Sequence, residues 1–242
     1  LAAIGFSGPS LAAGGGHPLP DIDFSFEGPL GSFDRMQLQR GFQVYKTVCS
    51  ACHGLDHINF RNFADLGYSE DQVKALAAEF SVQDGPDEFG EMFDRPALPS
   101  DPWPNPFRNE AEARSVNNGA YPPDLSLIVD ARVGGAEYVY SILTEYSEET
   151  PEDIELLPGQ YYTAAKGVIA MAPPLYGDDV EYADETEATV SQQSQDVAAF
   201  LAWASEPNME DRKAMGVKVM FFLLIFTVLF YFVKRKVWSD VH

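Results

Sequence analysis

The chain has 242 residues and carries 16 Lys and Arg against 37 Asp and Glu, a formal charge of −21. That balance excludes a nucleic-acid partner, which would require a basic face to neutralise phosphates. Hydrophobic residues at 45% and aromatic residues at 13% are enough for a packed core, while two cysteines exclude a disulfide scaffold and a four-cysteine zinc site.

In chain order, LAAIGFSGPSLAA has the small-residue character of the end of a secretory signal, and GGGHPLP reads as a linker. Residues 1–20 are therefore expected to be a flexible leader and 21–210 a single external domain. Asp34 is placed to cap a helix in which Leu38, Phe42 and Tyr45 recur at helical spacing, with Val48 next. A second stripe, Val197, Phe200, Leu201 and Ala204, predicts a partner helix late in the domain. The two are expected to pack together and wall a cofactor.

Between them, Val48–Gly54 reads VCSACHG. Both cysteines of the chain, Cys49 and Cys52, stand three apart with His53 directly after, the C-x-x-C-H pattern of c-type haem attachment. Two thiols on one turn can each add to a vinyl group at one haem edge, and the next residue brings an imidazole under the iron. The alternatives fit less well. A zinc site lacks companion ligands, a thioredoxin-like pair needs a strand before its helix, and a disulfide across two residues leaves His53 without a purpose.

An electron carrier needs a second axial ligand. His17 lies in the leader, His57 is too close to His53 to reach the opposite face, and His242 lies beyond the anchor. Met36 starts the first helix, and Met209, Met215 and Met220 belong to the anchor region. Met171, in GVIAMAPPLYGD, and Met92, in the Pro-rich stretch GEMFDRPALPSDPWPNPF, remain. Two prolines preorganise the loop after Met171, so local chemistry favours it, with Met92 as the alternative and core gap-filling as the ordinary role of either.

The tail carries a different signature. Residues 211–242 hold six basic and two acidic side chains, leaving 10 basic and 35 acidic groups, net −25, in residues 1–210. From Ala214 to Val233, Lys218 is the only charge. The uncharged run Val219–Val233 is about 22 Å of helix, short of a bilayer core of roughly 30 Å. The span must then begin near Ala214, with Lys218 reaching back to the headgroups. An anchor at 211–233 and a basic tail at 234–242 follow. Lys234, Arg235 and Lys236 place that tail inside and the domain outside.

Several segments together resemble the cytochrome c1 family, the haem subunit of the cytochrome bc1 complex: RGFQVYKTVCSACHGL, NNGAYPPDLSLIVDARVGG, AMAPPLYGD and WASEPNMEDRKAMG. They fall in the family's order over most of residues 33–240; residues 84–110 match least. The resemblance implies a mainly α fold, a cytochrome c-type haem domain with a single C-terminal transmembrane helix. It implies one haem c, attached through Cys49 and Cys52, with His53 and Met171 as axial ligands. It further points to Asn117, Asn118, Pro122 and Pro123 as pocket residues, and to Arg132 and Tyr138 as partners of the haem propionates. Without it, Arg132 would read as a surface salt bridge and Tyr138 as a core aromatic.

The function so implied is electron transfer within a quinol–cytochrome c reductase, from a Rieske iron–sulfur protein to a soluble or tethered cytochrome c. The chain itself is the carrier. Implied partners are cytochrome b, the Rieske subunit and membrane lipid, in a dimeric complex. The implied setting is a bacterial cytoplasmic membrane with the domain in the periplasm, or a mitochondrial inner membrane with it in the intermembrane space. Acidic runs at Glu145–Glu155 and Asp178–Glu187 offer a surface for a basic cytochrome c, or simply a solvated face. Alternatives are another anchored monohaem carrier feeding an oxidase or dehydrogenase, and a haem-based sensor or peroxidase with a labile sixth site.

Overall fold

The structure, a computed structural model, describes residues 18–240 apart from residue 153; most of the expected leader lies outside that range. The elements run α1 (Arg35–Thr47), a 3-10 turn (Cys49–Ala51), a 3-10 helix (Phe60–Leu66), α2 (Glu70–Ala78), β1 (Ser81–Asp84), β2 (Phe93–Pro96) and α3 (Glu110–Val116). Then follow α4 (Gly135–Thr144), β3 (Tyr146–Ser147), β4 (Tyr161–Thr163), β5 (Gly167–Ile169), α5 (Val190–Ser205) and α6 (Met209–Val237). The fold is mainly α, as expected. Two small antiparallel sheets, β1–β2 and β3–β4–β5, were not foreseen.

Asp34 caps α1, its Oδ1 accepting from the amides of Met36 and Gln37. Leu38, Phe42 and Tyr45 are buried, as are Val197, Phe200, Leu201 and Ala204 on α5. The two helices touch backbone to backbone. A Cβ at Gly41 would collide with the Asp196 carbonyl oxygen and lie 2.7 Å from Phe200 Cβ. Phe42, Tyr45, Phe60, Phe63, Trp103 and Phe200 fill in around the crossing, with Phe42 and Phe63 ring centroids 4.4 Å apart and Tyr45 and Trp103 5.8 Å apart. Those separations lie in or just below the favourable aromatic range.

The stripe on α5 understates its position. Gln193, Ser194 and Asp196 on its other faces are fully buried too, so α5 is the central helix and not a one-faced wall. Asp196 is accommodated by a bidentate Arg40, Nε to Oδ2 at 2.9 Å and Nη2 to Oδ1 at 3.2 Å, and by Gln192 Nε2 at 3.0 Å. Arg40 also donates to Asp184 at 2.8 Å, tying down the loop before α5. A buried carboxylate demands this many donors.

α6 has 29 residues, about 43 Å of helix, against a bilayer core of roughly 30 Å. It is long and apolar enough to cross a membrane, and none of its most apolar stretch is buried. It begins two residues before the expected anchor, and Lys234, Arg235 and Lys236 continue it instead of forming a separate tail. Its first turns are stitched to the N-terminal segment. Glu210 accepts from Phe33 N at 2.8 Å and pairs with Arg35 at 2.6 Å, while Lys213 Nζ donates to the carbonyls of Phe26 at 2.5 Å and Gly31 at 3.1 Å.

Gly41→Ala is expected to lower the stability of the protein by about 1–3 kcal/mol through overpacking of the α1–α5 crossing. The denaturant midpoint measures it. An unchanged midpoint would mean that the crossing opens freely.

Candidate functional site

The cysteine motif is built where α1 runs out. Val48 closes α1, and the chain tightens into the 3-10 turn, with the amides of Cys52 and His53 both donating to the Cys49 carbonyl at 3.1 and 2.9 Å. This winding brings Cys49, Cys52 and His53 onto one short stretch. Both cysteines are free thiols, half-buried. Before haem attachment, burial, and next the neighbouring Cys52, push the Cys49 thiol up to about 12. Cys52 Sγ lies 4.0 Å from Asn117 Oδ1, and Asn117 is held by its own Nδ2 donating to Ala113 O at 2.7 Å.

His53 is fixed from both ends. Tyr45, buried in the core, donates its hydroxyl to the His53 carbonyl at 2.9 Å. Burial, followed by the charges of Cys49 and Asp124, pushes that phenol far up, so it remains a donor. At the ring, Nδ1 lies 2.7 Å from the Pro123 carbonyl oxygen. A carbonyl only accepts, so Nδ1 carries the proton and Nε2 keeps its lone pair. Burial lowers the basicity of the imidazole, against the Pro123 bond and the Asp124 charge, which raise it. A neutral ring with a free Nε2 is the form that ligates a metal.

The loop carrying Pro123 is zipped to the motif. Asp124 accepts from Asp56 N through Oδ2 at 2.8 Å and from Ser126 N through Oδ1 at 2.9 Å; Ser126 Oγ accepts from His57 N at 3.1 Å, and Leu125 N donates to Gly54 O at 3.0 Å. The strands of this zipper lie so close that a Cβ on Gly54 would sit 2.9 Å from Asn105 Nδ2 and 3.0 Å from Asp124 Oδ2. His57 is an exposed loop residue.

The other expected residues are distributed as follows. Asn118 is exposed, in the left-handed region at φ 51°, and its side chain lies beside Gly159. Pro122 is half-buried, and Pro123 is exposed with its carbonyl on His53. Arg132 is exposed, its Nη1 donating to the Ala131 carbonyl at 3.2 Å. Tyr138 is half-buried on α4. Met171 is half-buried two residues after β5, its carbonyl accepting from Tyr146 Oη at 3.0 Å. Met92 is 53% exposed beside β2, after the β1–β2 connection, where Asp87 Oδ1 accepts from Phe89 N and Glu91 N.

Sequence reasoning missed Tyr45 as a backbone clamp, having it only as core, and missed Asp124, Ser126 and Tyr146 altogether. For Asp124 a usable signal existed, since Asp two residues before Ser is a common local turn capper.

The donor set fits a c-type haem: two free thiols on one turn and an imidazole whose tautomer is already fixed for Nε2 ligation. The model of the cytochrome C1 family matches residues 24–241, including residues 84–110. The chain belongs to the cytochrome c1 family. It is 41% identical to cytochrome c1 of Rhodospirillum rubrum, over 98% of this chain and 94% of that protein. It is 44% identical to the mitochondrial cytochrome b-c1 complex catalytic subunit of Candida albicans, over 96% and 81%. It is also 45% identical to the cytochrome b/c1 of Bradyrhizobium diazoefficiens, over 92% of this chain and 36% of that longer protein. As a cytochrome c1, the chain carries a covalently bound c-type haem, and Cys49, Cys52 and His53 form its C-x-x-C-H arrangement.

Asp124→Ala removes the acceptor of two backbone amides in the zipper. It is expected to cost about 1–3 kcal/mol, read as a lower thermal midpoint of the haem-loaded protein, with Asp124→Asn falling between it and the parent. Equal midpoints for all three would show that the zipper does not hold the loop.

Proposed function

We propose that this cytochrome c1 takes one electron at a time from a Rieske iron–sulfur protein and passes it to a c-type cytochrome within a quinol–cytochrome c reductase. The observation that carries the reading is the His53 Nδ1 to Pro123 carbonyl bond, which leaves Nε2 free to ligate iron in the same C-x-x-C-H stretch as two free thiols. Bound haem c supplies the one-electron couple. Cys49 and Cys52 would fasten it through their sulfurs, and His53 and Met171 would ligate its iron. Asn117, beside Cys52, and Asn118, Pro122 and Pro123 wall the pocket. Arg132 and Tyr138 take the propionates, where an always-charged guanidinium fork suits a carboxylate. Ligation by a thioether together with an imidazole would favour a raised potential.

α6 anchors the domain in a membrane alongside cytochrome b and the Rieske subunit, in a dimeric complex. Lys234, Arg235 and Lys236 face the inner compartment and the haem domain the outer one. The acceptor is a basic cytochrome c, met by exposed carboxylates at Glu148, Glu149, Glu152, Glu155, Asp178, Glu181, Glu185 and Glu187. Not every carboxylate in those runs is free for this. Glu145 has a buried Oε2, Asp184 is paired with Arg40, and Asp179 accepts from the amides of Tyr176 and Gly177. Asp153 lies outside the described residues.

Met171→Leu is expected to lower the reduction potential and open the reduced iron to carbon monoxide. An unchanged potential and spectrum would pass the ligand role to Met92. Turnover with a basic cytochrome c is expected to fall steeply between low and physiological ionic strength; a flat salt profile would remove the acidic surface from docking.

A further inference from the structure

The segment that carries Met171 is poor in its own means of support. Pro173 and Pro174 have no amide hydrogen. Outside the strands, and among the described residues, no backbone–backbone hydrogen bond involves residues 170–175. Its far end is fastened by buried Leu175 and by Asp179 accepting from Tyr176 N at 2.8 Å and Gly177 N at 3.0 Å. Its near end leaves β5 at Ile169. At Met171 itself the fixing group comes from elsewhere: Tyr146 Oη donates to the Met171 carbonyl at 3.0 Å, with the Ala172 carbonyl at 3.5 Å.

Tyr146 is well founded to do this. It stands on β3, opposite the fully buried Thr163 of β4, and β4 pairs in turn with β5. The sheet is therefore a short bridge whose first strand reaches across to hold the chain that leaves its last. Directly before β3, the Glu145 amide closes α4 by donating to Ser141 O at 2.9 Å, so the tyrosine backbone is fixed from the helix side too.

We propose that Tyr146 is a positioning residue for Met171, its hydroxyl holding the Met171 backbone so that the thioether stays on the haem iron. This rests on Met171 being the axial ligand. A thioether is a weak, neutral ligand on a flexible side chain, and the population with sulfur off the iron depends on how tightly the backbone beneath it is held. Loss of one neutral hydrogen bond is expected to raise that off-iron population roughly fivefold.

The test compares Tyr146→Phe, Tyr146→Leu and Met171→Leu in the haem-loaded full-length chain. It reads the near-infrared methionine–iron(III) charge-transfer band, the reduction potential and the affinity of the ferric protein for added imidazole. Tyr146→Phe keeps the ring and its packing and removes only the hydroxyl. It is expected to weaken the band, lower the potential and raise imidazole affinity roughly fivefold, with Tyr146→Leu going further and Met171→Leu abolishing the band. If Tyr146→Phe matches the parent while Met171→Leu loses the band, the hydroxyl has no positioning role and the ligand assignment stands. The same holds if only Tyr146→Leu departs from the parent, since ring packing alone then matters. If Met171→Leu keeps the band, the ligand assignment fails and this inference with it.

Discussion

The bond between His53 Nδ1 and the Pro123 carbonyl is the constraint on which the site depends. An imidazole free to rotate, or free to exchange tautomers, would offer a metal either nitrogen or neither. Committing Nδ1 to an acceptor that cannot donate leaves one nitrogen and one ring orientation. The bond spans seventy residues of sequence, so it exists only if two loops are held in register. That register comes from Asp124 and Ser126, whose side chains accept from Asp56 N and His57 N, and from Leu125 N on Gly54 O. The motif fixes which atoms are offered; the second loop fixes where they point.

Behind the motif, the same order is passed down to the core. Tyr45 sits in the aromatic cluster around the α1–α5 crossing and holds the His53 carbonyl. The crossing is close because Gly41 has no side chain to stand against the Asp196 carbonyl. Asp196 is then answered by Arg40 one residue earlier on α1. Two neighbouring residues of α1 thus solve opposite problems of one contact, one by having no Cβ and the other by having a charged fork.

Chemistry that lies in consecutive residues was legible in the sequence. Cys49, Cys52 and His53 announce themselves because haem attachment needs them at fixed local spacing, and α1 and α5 because apolar residues recur at helical period. The parts that escaped are those with no side-chain signature. The Pro123 carbonyl is backbone, and no residue type marks a carbonyl as an acceptor. Strands of two to four residues, such as Tyr146–Ser147, are too short for alternation to show. The centrality of α5 was hidden by Gln193, Ser194 and Asp196, whose polarity implies an exposed face when the groups that answer Asp196, Arg40 and Gln192, are not yet placed. Residues 84–110 look least like the family, yet they hold the connection and second strand of the β1–β2 hairpin, which Arg95 ties to Asp84 and Asp101, and they fall within the family match.

The placement of the carboxylates bears on what a net charge of −21 can mean. Acidic runs in the sequence mix two populations. Asp179, Asp184 and Asp196 accept bonds that hold the loop after Met171 and the central helix, and Glu210 fastens the start of α6 to Phe33 and Arg35. Arg40 and Arg35 offset two of these four charges, and the carboxylates are held in place by the bonds they accept. Glu148, Glu149, Glu152, Glu155, Glu181, Glu185 and Glu187 are exposed and project theirs into solvent. A field that steers a partner arises from the second group, and its reach shrinks to a Debye length of about 8 Å at physiological salt. Because the clamping and projecting residues alternate along the same loops, the element that fixes the chain beyond Met171 also carries part of the surface that a basic acceptor would meet.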